Sequence, residues 1–353
     1  MISQALSKSV LSIGVEFRPP NGGIASVLNT YNEHVYSQFN FLPTTCSGNI
    51  WKKLLLFVCS LSRYIKLCLF CGIDIVHIHG ASNTSFWRKS VFIIIAKCLG
   101  KRIAYHVHGG GFKEFAGRYP KFVKFVLTRV DAIFALSDFW GDYFRKTYNH
   151  PNVRVIPNPV PMPQPTTMKQ TGRLLHGLFL GGINQSKGVY DLIEMLKSRQ
   201  SILRNRIIFH LCGEGEIAQL QERINEYNLN DMIKLEGFCN AKEKDRFLRM
   251  ADFFVLPSYI EGLPISILEA MSYSLPIIST SVGGIPEIVQ EGQNGFLITP
   301  GDNDALYYAI ASLTESSELR EKMGRRSFEL VSPHFPDNVS AVLEVEYTSL
   351  RCL

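Results

Sequence analysis

The chain has 353 residues, 46% of them hydrophobic and 19% charged, enough apolar material for two domains of ordinary size and too little charge for wholesale disorder. Its formal net charge of +6 suits an anionic small ligand or an anionic membrane surface and is too weak to argue for nucleic acid. Of its eight cysteines, only Cys68 and Cys71 form a CxxC. No second pair completes a zinc set, so the expectation is reduced, mostly buried thiols in a cytoplasmic protein.

The first apolar run, VLSIGV, carries no cleavage signature and reads as a strand rather than a signal peptide. A helical pattern, GGIASVLNTYNEHVYSQ, follows it. In the segment 51–70, WKKLLLFVCSLSRYIKLCLF, the apolar run is far shorter than the roughly 18 residues of a spanning helix. Plotted at about 100° per residue, Lys53, Ser60, Arg63, Lys52 and Lys66 share one arc of roughly 140°. Two readings fit: a packed helix with a solvated basic face, or a helix lying on an anionic bilayer. Lys113, Arg118, Lys121, Lys124 and Arg129 add charge to the same region.

Next come IDIVHIHG, WRKSVFIIIAKCLG, RIAYHVHGGG, YPKFVKFVLTR and VDAIFALS. The strands are continuous Ile/Val-rich runs, the mark of a parallel sheet covered on both faces, and their βαβα order predicts a doubly wound α/β fold. His77, His79, His106 and His108 fall at strand ends, where such folds bind ligands. No Asp or Cys set joins them at a credible spacing, so no metal site is expected. Residues 151–172 hold six prolines and read as an extended linker. The alternation then restarts with HGLFLGG, KGVYDLIEMLKSR, RIIFHLCGEGE, IKLEGF and DFFVLPS. The expected organisation is a Rossmann-like domain over 1–160, a second Rossmann-like domain over 161–335 facing it across a cleft, and a final helix over 336–353 returning to the first domain. Asp302 and Asp304 form a DND that precedes a helix, where Asp302 is more simply a cap.

The stretch PSYIEGLPISILEAMSYSLPIIS, residues 257–279, concentrates the chemistry. Pro264 suits the first turn of a helix, and Gly262 lets backbone approach a ligand closely. The free amides and dipole of such a helix start form an anion site. Glu261 lies just before it. Glu269 lies about five residues in, roughly 7–8 Å along the axis, and leans back toward the same ligand. Carboxylates on both sides of a diphosphate make sense if each accepts hydrogen bonds from sugar hydroxyls. A surface ion pair for Glu269 is the plainer alternative.

The run EGLPISILEAMSYSLPIISTSVGGIPEIVQEGQNGFLITPGD resembles the signature of the retaining glycosyltransferases of family 4, which have the GT-B fold. NGGIASVL resembles the family's first glycine loop, HVHGG its histidine motif, VRVIPNPV its interdomain segment, FLGGINQSKG its phosphate-binding loop, and LCGEGE and IKLEGF the next strand ends. The resemblance implies a GT-B α/β architecture and transfer of a sugar from a nucleotide-diphosphate sugar, of UDP or GDP type, without metal or cofactor. Glu261 would hold hydroxyls of the transferred sugar, Lys187 would neutralise the diphosphate, and His108 would sit beside the anomeric centre. Glu269 would hold the ribose. Gly22, Gly23, Gly182, Gly213, Gly215, Gly262 and Leu263 would line the donor. The implied acceptor is a saccharide or lipid-linked saccharide, the implied setting surface-polysaccharide assembly, and the implied location the cytoplasm or the inner face of the plasma membrane, reached through 51–70. One departure stands out. The family often has an arginine where this chain has Gly182, which removes a bidentate phosphate donor that Arg18 is a candidate to replace. Two other readings are a sugar-nucleotide epimerase of similar fold and a catalytically weak nucleotide-sugar-binding protein. A glycoside hydrolase has no need of an anion site between its carboxylates.

Overall fold

A computed structural model describes residues 1–18, 22–164 and 174–353. The chain forms two compact units, Met1–Pro161 with Pro333–Leu353, and Met162–Ser332.

The first unit is built on a six-stranded sheet: β1 (Val10–Gly14), β2 (Phe41–Pro43), β3 (Ile75–Gly80), β4 (Arg102–Val107), β5 (Ala132–Ala135) and β6 (Val153–Val155), in the order β2-β1-β3-β4-β5-β6. All pairings are parallel. Such strands must be buried on both faces, which is why they read as unbroken apolar runs. Leu11, Ile13, Val76, Ile78, Ile103 and Tyr105 project to one face, against helices Ile50–Phe70, Thr84–Cys98 and Pro120–Leu127. Each fully buried Leu, Ile or Phe there contributes roughly 1.5–3 kcal/mol. The strand order reverses between β1 and β3, a switch point at which loops diverge and ligands bind in doubly wound sheets. The C-terminal helix Pro336–Arg351 belongs to this unit, where Tyr347 bonds to His77 of β3.

The second unit has β7 (Leu175–Leu180), β8 (Ile207–Cys212), β9 (Ile233–Gly237), β10 (Phe253–Leu256), β11 (Ile277–Thr280) and β12 (Gly295–Ile298), in the order β12-β11-β10-β7-β8-β9. Counted from its own first strand this is the Rossmann order, and its switch point lies between β7 and β10. The loops leaving those strands carry Lys187 and Glu261.

Several sequence expectations need correction. The linker expected over 151–172 begins later, because Val153–Val155 is the edge strand β6, pairing Ile133 with Val153 and Ala135 with Val155. Its alternating valines are hidden in the sequence by flanking prolines, which an edge strand tolerates; residues 165–173 lie outside the described residues. A short helix, Gln4–Ser9, precedes β1 where no element was expected. The cysteines are all free but not mostly buried: Cys46, Cys68 and Cys212 are, whereas Cys59, Cys71, Cys98 and Cys352 are exposed.

Helix Ile50–Phe70 also departs from its plot. Ser60, on the polar arc, is buried and donates to the Pro43 carbonyl at 2.6 Å. Ile50, Trp51, Leu54, Leu55 and Val58, on the apolar side, are exposed, Trp51 at 75%. The helix packs through Phe57, Leu61, Tyr64 and Cys68, which leaves the apolar residues of its first half uncovered.

Candidate functional site

The buried strand β10 delivers the chain to Ser258 and Glu261, and helix Ile265–Ser272 follows. Pro264 is the N-cap of that helix (φ −71°, ψ 122°) rather than its first turn. The proline still stops the helix growing backward, and no side chain caps the start. From the other side of the switch point, β7 leads into a 3₁₀ turn, Gln185–Lys187, closed by Gly188 with φ +70°. A Cβ at Gly188 would collide with the Pro257 carbonyl, so only glycine lets the two loops meet this closely. Tyr259 N–H donates to the Ser186 carbonyl at 2.9 Å and seals the contact.

This meeting brings Lys187 to Glu261. The ammonium donates to Glu261 Oε1 at 2.6 Å, and Ser258 Oγ donates to the same oxygen at 2.9 Å. Glu261 is only 9% exposed. Removing the lysine would strand a buried carboxylate, a change that costs about 3–5 kcal/mol in comparable pairs. On the far side of Glu261, Gly283 (φ +57°) approaches its carbonyl closely, and Gly284 N–H donates to the Gly262 carbonyl at 2.8 Å.

Glu269 is elsewhere engaged. Its Oε1 accepts from Lys244 Nζ, and its side chain is 12% exposed. Lys244 rides on helix Ala241–Met250, which Asn240 and Glu243 start with a reciprocal capping box. Glu261 and Glu269 therefore each hold a lysine. The two carboxylates expected to flank an anion are thus each paired with an ammonium group. Lys244, Ser258 and Gly283 were missed in the sequence. The signal for Lys244 was its place on an amphipathic helix after IKLEGF, too common a pattern to read.

The remaining expected donor residues have structural roles of their own. A Cβ at Gly213 would strike the Gly181 carbonyl, and Gly215 adopts φ +133° against the Ile183 carbonyl, so both glycines are required where the loops after β7 and β8 cross. Gly182 is different. A Cβ there would meet mainly Asn184 Nδ2, at 2.8 Å, the end of a movable side chain, so its backbone does not demand glycine. Leu263 is buried. In the first unit, Gly22 is the N-cap of helix Gly23–Thr30 at φ +84°, and open space lies where its Cβ would be.

His108 ends a ladder of four imidazoles on the sheet face opposite the large apolar core. His79 Nδ1 and His108 Nε2 are 3.0 Å apart, His77 Nε2 and His106 Nδ1 3.2 Å, and His77 Nδ1 meets the Tyr347 hydroxyl at 2.6 Å. Burial holds His77, His79 and His106 well below the ordinary imidazole range. Burial, and then the charge of Lys89, push His108 down to about 3. The ladder is therefore neutral at physiological pH. Ligand atoms of His77, His79 and His106 lie within 4.8 Å of one another, close enough to share one ion. Yet both His77 nitrogens are already engaged, and the nearby charge acting on His79 is the cation Lys89. The electrostatics there favour an anion.

The two six-stranded parallel sheets match the GT-B architecture that the family-4 resemblance implies. Two family models fit the chain: Glycosyltransferase Family 4 over residues 31–162 and Glycosyl transferases group 1 over 175–329. The chain belongs to the GT-B glycosyltransferases of group 1, family 4 type. Among relatives, a Salmonella typhimurium protein provisionally named the colanic acid biosynthesis glycosyltransferase WcaL is 29% identical over 236 residues, 63% of this chain and 57% of that protein. The Escherichia coli UDP-Gal:alpha-D-GlcNAc-diphosphoundecaprenol alpha-1,3-galactosyltransferase is 25% identical over 302 residues, 79% of this chain and 75% of that enzyme. The chain thus spans little more than half the length of the Salmonella relative. The fold of the Thermosynechococcus elongatus sucrose-phosphate synthase superposes with a TM-score of 0.79 at 17% identity, covering 97% of this chain and 99% of that one.

Proposed function

We propose that this protein transfers a sugar, with retention and without a metal, from a nucleotide-diphosphate sugar to a saccharide or lipid-linked saccharide acceptor in surface-polysaccharide assembly. The observation that carries the reading is the Lys187–Glu261 pair at the switch point of a Rossmann-ordered sheet, beside an uncapped helix start. A diphosphate seated there meets helix amides and an ammonium, the groups that stabilise a departing phosphate. The E. coli relative, named for a UDP-sugar donor and a diphosphoundecaprenol acceptor, supports the substrate classes. Relatives that are transferases do not favour an epimerase.

In the proposed reaction the acceptor hydroxyl attacks the anomeric carbon on the face from which the diphosphate leaves. The C–O bond to phosphate breaks with its electron pair, and the leaving phosphate oxygen takes the acceptor proton. Lys187 offsets the growing charge, Glu261 accepts hydrogen bonds from sugar hydroxyls, and His108, neutral by burial, supports the sugar. Glu261 is a poor candidate for a covalent nucleophile, since one of its oxygens already accepts from both Lys187 and Ser258.

The test is transfer from labelled UDP- and GDP-sugars to a lipid extract, in excess EDTA, with NMR of the product. The donor's anomeric configuration should be kept. Glu261→Gln should keep measurable transfer and Glu261→Ala should lose most of it. An inverted product, a sugar adduct trapped on Glu261 or a strict need for Mn²⁺ would each overturn the mechanism.

A further inference from the structure

We propose that the first unit holds an anion site of its own, built on Lys89, which seats a phosphate-class group of the acceptor. The word acceptor rests on the transferase reading; the anion site does not. Lys89 is fully buried, and its Nζ has no hydrogen-bond partner among the described residues. Its neighbour Arg88 donates through Nε to Thr44 Oγ1 at 3.3 Å. Neither is paired with a carboxylate among the described residues. A buried ammonium with no counter-ion is among the costlier features a fold can keep. Burial pushes its pKa down to about 7, and an anion beside it would favour its charged form.

The place is as telling as the group. Helix Thr84–Cys98 leaves β3 at the switch point of the sheet, and no side chain caps its start. The loop after β4, His108 to Gly111, lies across the turn that feeds this helix: a Cβ on Gly109 would stand 3.2 Å from Ala81 Cβ and 3.5 Å from Ser82 N. His108, Gly109, Gly110, Ala81 and Ser82 are half-buried, so this rim is partly open, and the charge of the buried Lys89 acts on its first residue, His108. Uncapped helix amides, a glycine-rich loop and an ammonium together suit a tetrahedral oxyanion with several acceptor oxygens. A cation shared by the histidines would instead be opposed by Lys89, whose positive charge acts on His79.

A phosphate-class group has two sources here, the acceptor and the donor's own diphosphate, and calorimetry on the full chain separates them. With the donor site saturated by UDP, inorganic pyrophosphate should still bind, and Lys89→Met should weaken that binding at least about tenfold, the loss expected for one charge-assisted contact. UDP affinity should be unchanged in the variant, which also shows that it folds; Lys89→Gln serves if the Met variant does not. Pyrophosphate excluded by UDP, or bound equally well by the folded variant, overturns the proposal. Absence of UDP binding in the parent would sink the transferase reading alone, since pyrophosphate binding without UDP still judges Lys89. Methyl phosphate binding as tightly as pyrophosphate would support a phosphosugar acceptor, and weaker binding a diphosphate one.

Discussion

At the residue scale, function hangs on which partner each charge has before substrate arrives. Glu269 meets Lys244, so the ion pair that looked like the plainer alternative is present, and the ribose role must coexist with it. If Glu269 accepts from ribose hydroxyls, Glu269→Ala should weaken binding of free UDP or GDP by about 1–3 kcal/mol, as when a hydrogen bond to a charged group is lost. Unchanged nucleotide affinity by calorimetry in a folded variant would leave Glu269 a purely structural residue. Gly182 offers the opposite experiment. Its backbone does not need glycine, and an arginine would restore the planar phosphate fork the family often has. Gly182→Arg should tighten UDP binding several-fold; no change, with folding intact, would show that another cation already fills the role. The carboxylate spacing was legible in the sequence because eight positions of chain can be counted. The lysines facing those carboxylates were not all legible, because they arrive from 74 and 25 residues away.

At the element scale, the helix Ile50–Phe70 shows how a correct helix can be read on the wrong face. Hydrophobicity plotted on a wheel marks an amphipathic axis but not which side the sheet will cover. Here Tyr64 and Cys68 are buried while Ile50, Trp51, Leu54 and Leu55 face outward beside Lys52 and Lys53. From residue 50 to 130 the chain has fourteen lysines and arginines against Asp74 and Glu114 alone. Exposed apolar residues flanked by basic ones suit the headgroup region of an anionic bilayer. No helix among the described residues is long and apolar enough to cross a membrane. Changing Lys52, Lys53, Arg63 and Lys66 to Glu should release the protein from anionic vesicles at low salt and spare UDP binding, and Trp51→Ala with Leu55→Ala should do the same by a different route. Cosedimentation that ignores both sets of changes would favour a plain solvated helix.

At the scale of the whole molecule, the first unit stores its cost in buried bases. His77, His79, His106 and His108, with His334 pushed down to about 4, are neutral in the fold. The unfolded chain binds protons at all five below about pH 6.5. Stability from these groups is therefore level above about pH 7 and falls as pH drops from about 6.5 toward 4, by up to about 1.4 kcal/mol per pH unit for each histidine. Lys89 acts at the other end. Its folded pKa lies below the unfolded value near 10.4, so its penalty is full below about pH 7 and fades as pH rises. The stability gained by Lys89→Met should shrink correspondingly between pH 7 and 9.5. All three tryptophans, Trp51, Trp87 and Trp140, lie in this unit, so urea unfolding followed by their fluorescence reads it selectively. A midpoint unchanged from pH 7.5 to 5 would mean that the histidines titrate alike in the folded and the unfolded chain.

The sequence by itself determined the alternation of strand and helix, and with it two doubly wound sheets, because parallel strands need apolar runs and crossover helices that leave a local pattern. It also determined the place of the carboxylate before the Ile265–Ser272 helix. Only the tertiary structure decided the pairing of that charge, the exposed face of Ile50–Phe70, the stacking of four histidines from β3, β4 and the loop after β4, and the burial of Lys89 without a counter-ion among the described residues. These depend on which distant segments meet across a sheet, and a contact between residues far apart in the chain leaves no periodic trace in either of them.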